Sequence, residues 1–131
     1  MTRRGYSGAV GKRPSLLNRL TASAHHIDAA ELRSEVERLS CKPVRELRRG
    51  AVVDVAGRLR AVVYNPRETL PTLEAELYDG SAAIELVWLG RRRIAGIEPG
   101  RRLVARGRVG VHDGRLAIYN PWYELQGANQ G

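Results

Sequence analysis

The sequence predicts an all-β domain behind a helical N-terminal prefix, with five short strands closed into a small barrel. Three observations carry the expectation. From Gly50 onward apolar residues recur with a period of two, whereas ahead of it they recur at helical spacing. The strand-like runs are separated by the turn dipeptides Asp79-Gly80, Pro99-Gly100 and Asp113-Gly114. Two glycines, Gly57 and Gly107, fall inside the strand-like runs, where a small barrel needs its sharp bends.

The elements follow in order. Residues 1–14 combine three glycines and four basic residues with no acid, which reads as a flexible basic arm. Within it GYSGAVGKR departs from a phosphate loop, since Tyr6 and Arg13 stand where Gly and Ser/Thr are required and no strand precedes it. The helical prefix spans residues 15–42. Leu16, Leu17 and Leu20 form a first apolar stripe. A second helix starts at Asp28, with Glu31 three residues on as in a capping box, and repeats Leu32, Val36 and Leu39 until Pro43 ends it. That narrow stripe has to pack on a sheet or on another subunit.

The barrel occupies residues 43–126, and 127–131 read as a flexible tail. In the first strand Val53, Val55, Gly57 and Leu59 alternate with Asp54, Ala56, Arg58 and Arg60. In the second, Leu73, Ala75 and Leu77 alternate with Glu74, Glu76 and Tyr78. In the third, Ile84, Leu86 and Trp88 alternate with Glu85 and Val87. In the fourth, Leu103, Ala105, Gly107 and Val109 alternate with Arg102, Val104, Arg106 and Arg108, and RLAIYNPWYEL supplies a fifth strand with Leu116 and Ile118 inward. All five strands look antiparallel.

Composition narrows the function classes. No apolar run approaches the roughly 18 residues that a membrane span requires, and the N-terminus lacks a secretory apolar stretch. Cys41 is the single cysteine, so a reducing compartment, by default the cytoplasm, is expected. The net charge is +8 and 20 of the 22 basic residues are arginine, although a GC-rich genome gives the same bias. Residues 1–50 carry 11 basic and 5 acidic side chains against 11 and 9 in residues 51–131, so the excess lies mostly ahead of the barrel.

At the level of motifs, VVDVAGRL, the L-x-A-x-L-x-D-G of the second strand and PG-x-x-L-V-A-x-G-x-V of the fourth resemble the OB-fold. The ending DGRLAIYNPWYEL is similar to the closing strand of the wedge OB domain of RecG-type helicases. LVWLGRRRIAGIEPGRRLVA together with YNPWYEL resembles short actinobacterial OB-fold nucleic-acid-binding domain proteins, over roughly residues 28–125. The resemblance implies a five-stranded Greek-key OB-type barrel acting as a binding scaffold, and it supplies no catalytic residues. Two features depart from that pattern. Only residues 89–100 join the third and fourth strands, room for one helical turn at most. The outward Glu74, Glu76 and Glu85 put three carboxylates on the strand 2–3 face where OB domains usually hold single strands, and these would repel phosphate.

The expected contact surface therefore moves elsewhere. Neighbouring first and fourth strands would align Arg58, Arg60, Arg102, Arg106 and Arg108 in one stripe, extended by Arg91, Arg92 and Arg93. The competing expectation is that these arginines form ordinary ion pairs with Glu74, Glu76 and Glu85, which is favoured for any single one except the Arg91, Arg92, Arg93 run, with no acid until Glu98. Tyr64 and Tyr119 are candidate stacking rings, Trp88 reads as core, and Trp122 and Tyr123 as cover for the barrel end. His25, His26, His112 and Cys41 have no zinc spacing, and no nucleophile–base or paired-carboxylate arrangement stands out, so no metal, cofactor or catalytic residue is expected. The leading expectation is a non-catalytic binder of single-stranded DNA or RNA, including junctions. The alternative is a protein-interaction module that docks or self-associates through the N-terminal helices.

Overall fold

The computed structural model describes residues 28–127, so the basic arm, the first expected helix, His25, His26 and most of the expected tail lie outside the described residues. A helix, α1, covers residues 28–38. A 3-10 turn, Val44–Glu46, leads into six strands: β1 Val52–Asn65, β2 Thr72–Tyr78, β3 Ala83–Leu89, β4 Arg102–His112, β5 Arg115–Tyr119 and β6 Trp122–Leu125. Among the described residues no helix is long and apolar enough to cross a membrane.

Strand order along the sheet is β1-β2-β3-β5-β4, and β4 pairs back onto β1, so five strands close into a barrel. The 14-residue β1 makes closure possible, because its first half pairs with β4 and its second half with β2. Gly57 lies near that changeover, and a Cβ there would overlap the Tyr78 carbonyl oxygen. At Gly107 a Cβ would overlap the Ile118 methyl, so both mid-strand glycines serve close approach. A register shift between Leu59 and Ala61 then turns Val62 and Tyr64 toward the core.

Most inward positions read from the sequence hold inside the barrel, but Ala56 and Val87, expected to face outward, are buried as well, and Leu116, expected inward, is only partly buried. Val55, Leu59, Leu77, Leu86, Leu103, Ala105 and Ile118 are fully buried, with Trp88 among them. Val44 and Leu47 add to the core from the 3-10 segment, and Ile94 and Ile97 from the β3–β4 connection, which contains no helix.

Three details differ from the sequence reading. β3 and β5 pair in parallel, a partnership that periodicity cannot reveal. The closing run is two strands: Asn120, at a φ of 48°, and Pro121 break it, leaving β6 paired with β4 at the edge of the sheet. The helix ends at Arg38 rather than running on to Pro43. Ser40 takes a left-handed conformation (φ 59°), and the Cys41 N–H reaches the Val36 carbonyl at 3.0 Å, the hydrogen bond that typically terminates a helix.

α1 packs on the outside of the barrel. Ala29, Leu32 and Val36 are buried, Arg33 donates to the Gly80 carbonyl at 3.0 Å, and a Cβ on Gly80 would overlap the Ala29 carbonyl. The apolar stripe thus meets its own sheet.

Candidate nucleic-acid interface

Pairing of β1 with β4 sets Arg58 opposite Arg102, and Asp54 opposite Arg106, so the expected stripe forms geometrically. Its charge is largely answered. Asp28 of α1 accepts from Arg58 at 2.8 Å, Glu31 of α1 lies 3.9 Å from Arg102, and Asp54 takes Arg106 at 2.5 and 3.3 Å. Arg60 leaves the stripe for the β2 face, where it pairs with Glu76 and lies 4.2 Å from the Tyr78 ring centre. Arg108 stays exposed and donates to the Gly50 carbonyl at 2.6 Å. Only the Arg60–Glu76 pair follows the pairing scheme expected from the sequence; the others use acids from α1 and from β1.

The β2–β3 face is not the bare carboxylate surface expected. Arg115 of β5 reaches both Glu76 (3.2 Å) and Glu85 (3.4 Å), and Arg67 of the β1–β2 loop lies between Glu74 (3.5 Å) and Asp113 (3.1 Å). His112 is buried among them, with Nε2 3.1 Å from Glu74 and Nδ1 2.9 Å from the Tyr119 hydroxyl. Tyr119, a candidate stacking ring, is thereby tied at its hydroxyl, which also donates to the Val111 carbonyl, while its ring stays partly exposed. Repulsion of phosphate by this face is consequently far weaker than three free carboxylates would produce.

Burial raises the Glu85 carboxyl above the usual carboxylate range, against the opposing pull of Arg115. Burial also acts on Glu74, but hydrogen bonds from Thr72 and His112 outweigh it and hold that carboxyl below its usual range. Glu74, Glu85 and His112 bring ligand-type atoms within 4.8 Å of one another, the arrangement a metal ion uses. The guanidinium groups of Arg67 and Arg115 already occupy these carboxylates, so the grouping is accounted for as a charge network.

The β3–β4 connection is different in kind. Gly90 N–H bonds to the Pro71 carbonyl at 2.7 Å, and the buried Ile94 and Ile97 fix the loop from beneath. Arg91, Arg92 and Arg93 stand between these anchors and are all exposed. Arg92 lies 5.2 Å from the ring centre of Tyr64, and Arg91 and Arg93 make no ion pair among the described residues. Leu70 and Leu89, both exposed, flank the same region.

The sequence reading missed a second group, Lys42, Arg45, Arg48 and Arg49, all exposed around the 3-10 turn with Glu46 as the sole acid in that stretch. The signal was the basic excess ahead of the barrel. Trp122 was misplaced: Tyr123 covers the core, edge-on to Trp88 at 5.9 Å, while Trp122 is 54% exposed.

No family model matches the chain, and no curated protein matches it. Among solved structures, one described as RecG bound to a three-way DNA junction is similar, with a TM-score of 0.55 and 20% sequence identity. The match covers 68% of this chain and 13% of that one. At this identity the likeness speaks for a barrel-like fold shared with a small part of a much longer protein.

Proposed function

We propose that this chain is a non-catalytic nucleic-acid-binding module built on an OB-type Greek-key barrel, gripping single-stranded or structured nucleic acid mainly through its phosphates. The observation that carries the reading is the β3–β4 connection: three consecutive exposed arginines held on buried isoleucine anchors, with no carboxylate among the described residues paired to Arg91 or Arg93 and with Tyr64 beneath Arg92. Uncompensated guanidinium groups on a fixed loop favour an anionic backbone, which they bind in a bidentate manner. The β1-β2-β3-β5-β4 order closing on β1 fits the OB type, and the similar solved structure holds a DNA junction, which makes branched DNA a natural ligand to try.

The test is fluorescence anisotropy at low salt with labelled single strand, duplex, fork and structured RNA. Micromolar or tighter affinity is expected for at least one of them. Replacing Arg91, Arg92 and Arg93 together by Ala should weaken binding and flatten the log–log salt slope by about 2, since each single-strand phosphate contact contributes about 0.7. Absence of binding to all four ligands at low salt would refute the reading.

A further inference from the structure

We propose that Trp122 is a stacking platform for one unpaired base, at the end of a basic track that runs along the outer face of β4 to Arg49 and Arg48. The proposal rests on the nucleic-acid reading above but concerns a different surface. β6 presents alternate side chains outward, and its register sets Trp122 directly opposite Arg106 of β4. The Arg106 guanidinium lies 5.6 Å from the indole centre and is itself held at two points by Asp54. The indole is thus positioned from one side, yet it remains 54% exposed on the edge strand of the sheet. In a chain with no Phe and only two Trp, leaving this ring in water forgoes the burial that an indole normally supplies.

What lies beside it identifies the occupant. Arg108, two residues along β4 on the same face, is exposed and anchored to the Gly50 carbonyl. Gly50 is itself joined to β4 by its N–H to the Val109 carbonyl at 2.8 Å. Arg49 and Arg48 precede Gly50, are exposed, and make no ion pair among the described residues. A flat aromatic surface followed by successive cations suits a ligand that alternates flat bases with phosphates. A protein segment would need carboxylates at matching spacing and would gain nothing particular from the indole face. Among the described residues the acids near this track are Glu124 on β6, Asp54 on β1 and Glu46 in the 3-10 turn; Asp54 is spent on Arg106 and Glu46 lies by Arg45.

Tryptophan emission tests it directly, because Trp88 is buried against Tyr123 and Trp122 is the ring that reports on solvent. Adding oligothymidylate to the full chain should quench emission, whereas an abasic oligonucleotide of equal length should bind more weakly and leave emission unchanged. Trp122→Ala should lose about 5- to 150-fold in affinity for oligothymidylate, the usual range for one stacked base, and nothing for the abasic strand. Trp122→Phe should recover most of the loss. Arg49→Ala with Arg108→Ala should flatten the salt slope by about 1.4 without abolishing quenching. Anisotropy that reports binding while emission stays constant and Trp122→Ala binds like the parent overturns the platform and leaves the proposed function standing. No binding by either method overturns both. Emission that shifts with protein concentration alone shows a second copy on the indole, and also overturns it.

Discussion

Buried charge decides which single side chains this barrel depends on. Asp79 is 1% exposed, and its carboxylate accepts from the Val44 N–H at 2.7 Å, the Ser81 N–H at 2.8 Å, the Ser81 hydroxyl at 2.6 Å and the Ala82 N–H at 3.1 Å. It therefore holds the β2–β3 turn and the 3-10 segment together. Asp79→Ala leaves buried donors unpaired and should cost about 3 kcal/mol in urea unfolding, with Asp79→Asn losing less. A loss below about 1 kcal/mol would mean that the turn holds without it. Glu74 and Glu85 should respond to pH in opposite senses. Glu74 is held below its usual range, so its contribution is present at neutral pH and fades as pH falls through its folded value. Glu85 is raised and its Oε1 is buried with no hydrogen-bond partner among the described residues, so its ionised form costs stability at neutral pH and the cost is relieved on acidification. Glu74→Gln should thus lose about 1–2 kcal/mol at pH 7, while Glu85→Gln should be neutral or stabilising there. Both differences from the parent should shrink by pH 4, as urea midpoints at the two pH values will reveal.

At the scale of elements, α1 is the feature that changes the functional surface. Its apolar stripe was legible in the sequence, and so were the barrel strands, because burial on one face imposes a strict period. What the stripe would pack against was not legible, since that depends on contacts between residues some 30 to 50 positions apart. Docking on the barrel brings Asp28 and Glu31 over Arg58 and Arg102, and this is why two arginines that look free in sequence are paired in the structure. It also buries the apolar stripe of α1, one of the two stripes expected to serve self-association; the other, Leu16, Leu17 and Leu20, lies outside the described residues. Leu32 is 1% exposed, and Leu32→Ala should cost about 2–4 kcal/mol, measured by urea unfolding. An effect near zero would mean that α1 is not docked in solution. The split of the closing strand into β5 and β6 had its signal in Asn120-Pro121, a dipeptide that favours a turn, but alternation on both sides disguised it. The parallel β3–β5 pairing had no sequence signal at all, because periodicity names a strand's face and never its neighbour.

For the whole molecule, the question is how a net charge of +8 is carried by a small barrel whose surface acids are mostly engaged. Two salt effects oppose each other in the free protein. Screening relieves repulsion among excess cations, and it also weakens exposed ion pairs, each worth at most about 1 kcal/mol. The free protein's melting temperature should therefore move by no more than a few degrees between 50 and 300 mM salt. The complex should behave differently. An oligonucleotide at about 100 times its dissociation constant adds about 2.7 kcal/mol to stability, on the order of 10 °C for a domain of this size. If about six phosphates are contacted, affinity falls roughly 10³-fold over the same salt range, and that gain disappears. Thermal melts at the two salt concentrations, with and without oligothymidylate, should give a large shift at low salt and almost none at high salt. A shift that survives 300 mM salt would place the binding energy in stacking rather than in phosphate contacts, and would move the weight of the interface from the Arg91, Arg92 and Arg93 loop to Trp122.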